Sequence, residues 1–404
     1  MRIHVTKEQA ANCYIVFLTA IALAASRFFF SMSLNLWYSE RMVLWQNSPL
    51  WAHSLVVLIC LLLAAILTES RYRKYVGLFG VVLMIGAVIT QLGSMAWLNS
   101  TVSADGVKLV EITGKQVRLP LGLFLAALYL LKGGAGAVII NQLSRLRNTS
   151  GAIVQARRYI AIFALSLFGA LLSNYLEDIS PILTSIIVCV YMIMLVSALF
   201  FIVKRKDSRE EAQDIDVKAV KRTTWPILSI CITCLTFIIM ISFRRHFLFY
   251  CRQDAFPMQV ANFIAAMPFF VLAISILLMK KQRSILPMTG SILILLGIPL
   301  AAILKDIFFV DFLPQLLIGL GVAMILSQMI EDVLNVPSRH YALIWAGMAI
   351  SIGMTVPGLL FCLDRLRLII KTMSINIYII LPLIAMTLVV MCYFWSKRGQ
   401  ESPE

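Results

Sequence analysis

Apolar residues along this chain come in long unbroken runs rather than in alternating or one-sided patterns. The runs fall at 11–37, 50–68, 75–98, 119–142, 158–176 and 180–203, and resume at 225–243, 256–279, 285–303, 308–330, 341–362 and 373–396. Each approaches the roughly 20 residues that a helix needs to cross a hydrocarbon core. Lipid offers backbone groups no partners, so each run must satisfy its hydrogen bonds within itself. The pattern predicts an all-α membrane protein with twelve transmembrane helices. A charged stretch from Lys204 to Arg222 separates six runs from six. The expected organisation is an N-terminal six-helix bundle over 1–203, a cytoplasmic linker over 204–222 and a C-terminal six-helix bundle over 223–404.

Composition agrees with that reading and excludes an ordinary soluble enzyme. Of 404 residues, 60% are hydrophobic and 14% charged, too little polar surface to keep so long a chain in water. The net charge of +15 would suit a nucleic-acid partner if it were gathered in one patch. Instead it sits in short loops between apolar runs, as orientation signals do. With the N-terminus inside, the cytoplasmic segments carry about twice the Lys and Arg of the outer loops, which predicts that both termini are cytoplasmic. The first run is too long for a cleavable signal peptide. The expected location is the inner (plasma) membrane, with the bilayer as partner and no nucleic acid.

The eight cysteines change little. Cys231 and Cys234 form a C-x-x-C, but on a membrane helix they lack the strand and helix setting of a redox motif. They read as small apolar filler. Gly133, Gly134 and Gly136 follow no strand and so form no nucleotide loop; close helix packing explains them better. No metal and no cofactor is expected.

Several local patterns carry a resemblance. The stretch Ala65-Ile66-Leu67-Thr68-Glu69-Ser70-Arg71-Tyr72-Arg73-Lys74 resembles the loop between spans 2 and 3 of the major facilitator superfamily, with the acidic position and final basic pair kept and both glycines lost. The resemblance implies a gating loop of Glu69, Arg71, Arg73 and Lys74; as plain charge, the same residues read as a short positive-inside loop. The C-terminal half is similar to the drug:proton antiporter branch. Phe249-Tyr250-Cys251-Arg252-Gln253, Ala265-Ala266-Met267-Pro268-Phe269, Gly319-Leu320-Gly321 and Pro357-Gly358 stand in that branch's order. That likeness implies export, and admits a periplasmic adaptor as partner. Departures are plain: Tyr129-Leu130-Leu131-Lys132-Gly133 replaces an arginine and a glutamine of the fourth span, and only Gly169 remains of the fifth-span antiporter pattern. Proton antiport thus lacks its usual residues.

Charge inside hydrocarbon is costly and marks candidate function. Arg27 lies roughly 22 Å into the first run at 1.5 Å per residue, and Lys132 lies near the middle of the fourth. No Asp or Glu falls deep in any run; Glu331, Asp332 and Asp364, for example, stand near helix ends or in loops. A buried cation without a carboxylate needs carbonyls, water or an anionic ligand, and arginine cannot shed its proton. Arg244 and Arg245 end the seventh run as Arg27 echoes within the first, and paired cations at matching points of two repeats suit a carboxylate or phosphate. Their alternative is to snorkel to headgroups. Asn35, Asn262 and Gln328 add hydrogen-bonding groups for a solute, or serve as helix-to-helix glue.

The expected function is secondary transport of a small organic solute, an amphipathic anion, with export favoured. Uptake or exchange of an organic anion or phosphorylated metabolite is the nearest alternative. A lipid-modifying membrane enzyme would have only Glu331-Asp332 and Asp364-Arg365 to work with, and no metal-ligand company. A transport-dead sensor is the third class.

Overall fold

The computed structural model describes residues 6–33, 59–60, 63–64, 66–68, 72–105, 115–148, 151–172, 181–204, 225–226, 228–230, 232–233, 258–279, 285–303, 312–334, 384–391 and 394. Eight helices are defined among them: α1 (Lys7–Ser33), α2 (Arg73–Asp105), α3 (Lys115–Ser144), α4 (Ala152–Leu172), α5 (Pro181–Val203), α6 (Met258–Leu278), α7 (Leu286–Ile303) and α8 (Phe312–Leu334). Each covers one of the twelve apolar runs. The runs at 50–68, 225–243, 341–362 and 373–396 lie wholly or largely outside the described residues. Among the described residues, five helical segments are long and apolar enough to cross a membrane: Tyr75–Ser94, Gly122–Ser144, Ala152–Gly169, Ile186–Val203 and Phe312–Asp332. Several helices outrun their apolar cores, because a helix continues past the hydrocarbon edge as long as its polar ends stay helical. The consequential case is α4, which starts at Ala152, well before the apolar run expected from 158.

Local sequence explains the ends. Thr6 and Gln9 exchange bonds at the start of α1: the Gln9 amide donates to Thr6 Oγ1 at 3.2 Å, and the Thr6 amide to Gln9 Oε1 at 3.3 Å. That is the reciprocal box that satisfies orphan donors at a helix N-terminus. Pro181 opens α5, where a missing N–H costs nothing. Gly151 precedes α4 at φ +89°, a conformation nearly closed to other residues. Gly151→Ala is therefore expected to cost about 1–2 kcal/mol, read as a lowered unfolding midpoint; an unchanged midpoint would show that the turn relaxes.

The chain divides into two compact units, one of Met1–Asn141 with Ser173–Asp207, the other of Gln142–Leu172 with Ser208–Glu404. In the first, the core is built from Ile15, Leu18 and Ala22 of α1, Val81, Met84 and Val88 of α2, Ala127, Leu131, Ala135 and Val138 of α3, and Val188, Tyr191, Leu195, Ala198 and Ile202 of α5. The spacing of three and four puts each set on one stripe of its helix. Two tyrosines tie α1 to α5: Tyr191 donates to the Leu18 carbonyl at 3.1 Å, and Tyr14 lies 2.8 Å from Ser197 Oγ. Between α2 and α3 the backbones nearly touch. A Cβ added to Gly80 would stand 2.7 Å from the Gly134 carbonyl oxygen, and one on Gly133 2.7 Å from Cys60 Sγ. Close packing is thus what Gly133 and Gly134 provide.

In the second unit, α8 is the central helix. It packs against α6 on one side and α7 on the other, and α4 packs on α6 and α8. Gly319 and Gly321 make this close approach achievable. A Cβ on Gly319 would lie 2.7 Å from the Pro268 carbonyl of α6, and one on Gly321 2.5 Å from the Gly290 carbonyl of α7. Two residues apart on a helix means nearly opposite faces, so one glycine serves each neighbour. Without a hydrophobic drive between helices in lipid, such backbone-to-backbone packing is what holds them together.

Candidate functional site

The residues singled out from sequence are placed unevenly. Arg27 lies in α1 and Asn262 in the first turns of α6, but their side chains fall outside the described residues, as do Asn35, Glu69, Arg71, Arg244 and Arg245 altogether. Arg73 and Lys74 are the first residues of α2, again without described side chains. Lys132 is partly buried on α3, next to Leu131 in the core of the first unit. Gln328 is buried on α8, and its Nε2 donates to Asp332 Oδ1 at 2.9 Å. That bond runs along α8 itself, between residues one turn apart.

The best-defined polar site is one the sequence reading passed over. Because α4 begins at Ala152, Arg157 stands in its second turn, buried, with its side chain only 10% exposed. Its Nη2 lies 3.6 Å from Glu331 Oε2 in the last turn of α8. Its Nη1 donates to the carbonyl of Met279, the residue that follows α6. Three helix ends therefore meet on one guanidinium, all within the second unit.

Electrostatics explain why an arginine sits there. The last carbonyls of a helix have no intrahelical partners, and the C-terminal end carries partial negative charge. Met279 presents such a carbonyl, and Glu331 adds a full charge at the end of α8, where a carboxylate is disfavoured. A single delocalised cation with several donors in a fixed fork answers both. Asp332, the second carboxylate at this end, takes the Gln328 amide, a pairing one helical turn apart. Of the acidic pair, Glu331 thus bridges to α4, while Asp332 is bonded within α8. Among the described residues no group of three or more His, Cys, Asp or Glu could hold a metal ion.

At the other end of α4 the contacts are apolar. Phe168 lies 5.2 Å from Phe270 and 6.4 Å from Phe263 between ring centroids, and Phe263 lies 6.1 Å from Phe312 of α8. Such offset and edge-on pairs are each worth about 0.5–1.5 kcal/mol beyond area burial. Arg157, Ala161, Ala164 and Phe168 follow one another at spacings of four, three and four, which is one stripe of a helix. Both alanines are buried. The stripe carries a cation at one end, an aromatic ring at the other and small residues between.

Signals for Arg157 were present. A basic residue just outside the expected edge of one span, with Glu331-Asp332 at the same-side edge of another, is that signal.

In fold, the chain is similar to solved major facilitator superfamily transporters. A crystal structure of a bacterial homologue of the iron transporter ferroportin, in an outward-facing state with soaked iron, superposes with a TM-score of 0.71 at 12% identity, covering 98% of this chain and 100% of that one. The superfamily transporter FucP in its outward conformation gives 0.63 at 13% identity, over 96% and 98%. The proton:xylose symporter XylE, bound to 6-bromo-6-deoxy-D-glucose, gives 0.61 at 12% identity, over 97% and 94%. No protein-family model matches the chain, and no curated protein matches it in sequence.

Proposed function

We propose that the chain is a secondary transporter of a small organic solute, built as two six-helix halves over 1–203 and 223–404 that give alternating access to a site between them. The observation that carries this reading is the Arg157 cluster. It joins the end of a helix from the first half of the sequence to the ends of two helices from the second half by charge and a carbonyl bond. Packed apolar seams fix helices permanently, whereas an ion pair at a helix end is a contact that water can replace when the ends part. A carrier needs such a clasp at its cytoplasmic end. The transporters that share the fold support the reading as well, and neither the enzyme nor the sensor alternative gains any support from them.

The cargoes of those neighbours (iron, fucose and xylose) differ from one another, so the fold leaves the cargo of this chain open. The cargo proposed is an amphipathic anion, moved outward across the inner (plasma) membrane by a protein with both termini cytoplasmic. Arg27 and Lys132 recognise its charge, with Asn35, Arg244, Arg245, Asn262 and Gln328 as further contacts. The basis is that ionisable groups placed at depth by the sequence are costly and so mark candidate sites. Glu69, Arg71, Arg73 and Lys74 form a second charged group at the cytoplasmic gate.

Binding measured for an anionic and a cationic amphiphile of matched size is expected to favour the anion by about tenfold, a difference of 1.4 kcal/mol. Arg27→Ala should erase most of that preference. Indifference to ligand charge in both proteins would remove the anion from the proposal. Solute flux in proteoliposomes tests the transport reading itself, and a substrate converted rather than moved would replace it with the enzyme.

A further inference from the structure

Helix α6 is held at three levels. Near its start, Phe263 is engaged by Phe168 of α4 and Phe312 of α8. At its middle, Gly319 of α8 approaches Pro268 so closely that a Cβ would meet the proline carbonyl at 2.7 Å and Val271 Cβ at 2.9 Å. Just past its end, the Met279 carbonyl accepts the Arg157 bond. These three holds differ in kind. The first is a set of rings, the second a glycine seated against a backbone carbonyl and the Val271 side chain, and the third a charge contact that can be exchanged for water.

The middle hold coincides with the weakest joint in the helix. Pro268 lies in the interior of α6. A proline there has no N–H to give to the carbonyl four residues back, which is Ile264, and its ring crowds that carbonyl. One rung of the helical ladder is missing at the level where the neighbouring helix offers a glycine and no side chain. A helix bends where its ladder is already broken. Residues beyond the joint, Phe269 to Met279, are then restrained chiefly by packing and by Arg157.

From this we infer that α6 is a two-part helix hinged at Pro268, whose half from Phe269 to Met279 is the moving part of the gate that Arg157 holds shut. The inference rests on the clasp reading of the Arg157 cluster and adds what moves and where it bends. Releasing the guanidinium lets the second half swing away, drawing Phe270 off Phe168, while Phe263 keeps the first half against Phe168 and Phe312. Ile276, fully buried in the second half, becomes accessible to water when it does so.

The test uses full-length protein in nanodiscs with the eight native cysteines replaced and Ile276→Cys introduced. Labelling by a water-soluble maleimide reports exposure, since only a hydrated thiolate reacts. Arg157→Gln, which removes the donor to the Met279 carbonyl, is expected to raise the labelling rate about tenfold, the scale on which a charged hydrogen bond acts. Adding Pro268→Ala restores the N–H and stiffens the joint, and should return labelling close to its starting rate. Adding Pro268→Gly leaves the joint soft and should keep the rise, which separates stiffness from any general damage at that position. A rise that survives Pro268→Ala would overturn the hinge and leave the clasp intact, with α6 moving as one rod. No rise with Arg157→Gln would overturn the clasp, and the hinge with it.

Discussion

Replacing Arg157 by alanine is expected to destabilise the protein by about 3 kcal/mol, the low end of what breaking a buried ion pair costs. The cost arises from what is left behind more than from what is removed. Glu331, only 13% exposed, would lose its cation at the negative end of α8, and the Met279 carbonyl would lose its donor. The low end is chosen because the Nη2–Oε2 separation is 3.6 Å, longer than a tight charged hydrogen bond. A thermal scan of purified protein reads the effect. The double substitution Arg157→Met with Glu331→Leu should recover most of the loss, since it removes both charges and keeps the volume. If Arg157→Ala shifted the midpoint no more than Lys7→Ala at the exposed start of α1, the ion pair would carry none of the proposed load.

The second large effect is steric. Gly321→Ala is expected to lower stability by about 1–3 kcal/mol, as overpacking does. Its Cβ would meet the Gly290 carbonyl at 2.5 Å and Ile294 Cγ1 at 2.8 Å. A backbone carbonyl cannot turn aside as a flexible side chain can, so α7 and α8 must separate. Gly86→Ala in α2 is the matched control, because a Cβ there meets nothing within 4 Å. It should be neutral, or stabilising by about 0.5–1 kcal/mol, as glycine is the poorer helix former. Equal effects at the two positions would mean that the α7–α8 seam tolerates expansion.

Much of the fold could be read from the order of residues, because a bilayer sets the length of an apolar run and forbids any open alternative to a helix. That is why α1 to α8 fall on runs marked by hydropathy alone. What hydropathy could not mark was where a helix begins outside the hydrocarbon. Gln155, Arg157 and Arg158 looked like loop residues, yet they continue α4. The Arg157–Glu331 pair was hidden for a related reason: its members are remote in sequence, and neither is alone deep in a run. Gly319 and Gly321 were visible as a motif, but which neighbour each one admits depends on helix packing that one sequence does not contain. Gln328 was legible as a buried amide with two uses, and its bond to Asp332 is a local one that helical spacing permits. Arg27 shows the opposite limit, since its charge is evident from sequence while its side chain lies outside the described residues.

The stripe on α4 has a mechanical corollary. Arg157 and Phe168 are about 16 Å apart along the helix axis, and each is engaged by fixed partners. Sliding α4 lengthwise by one turn would take the cation off the Met279 carbonyl and the ring out from beside Phe263 and Phe270 at the same moment. Axial travel is thus penalised twice, whereas tipping about the ring end disturbs one anchor only. α4 is indexed like a rod seated in two notches, and the motion left to it is a tilt.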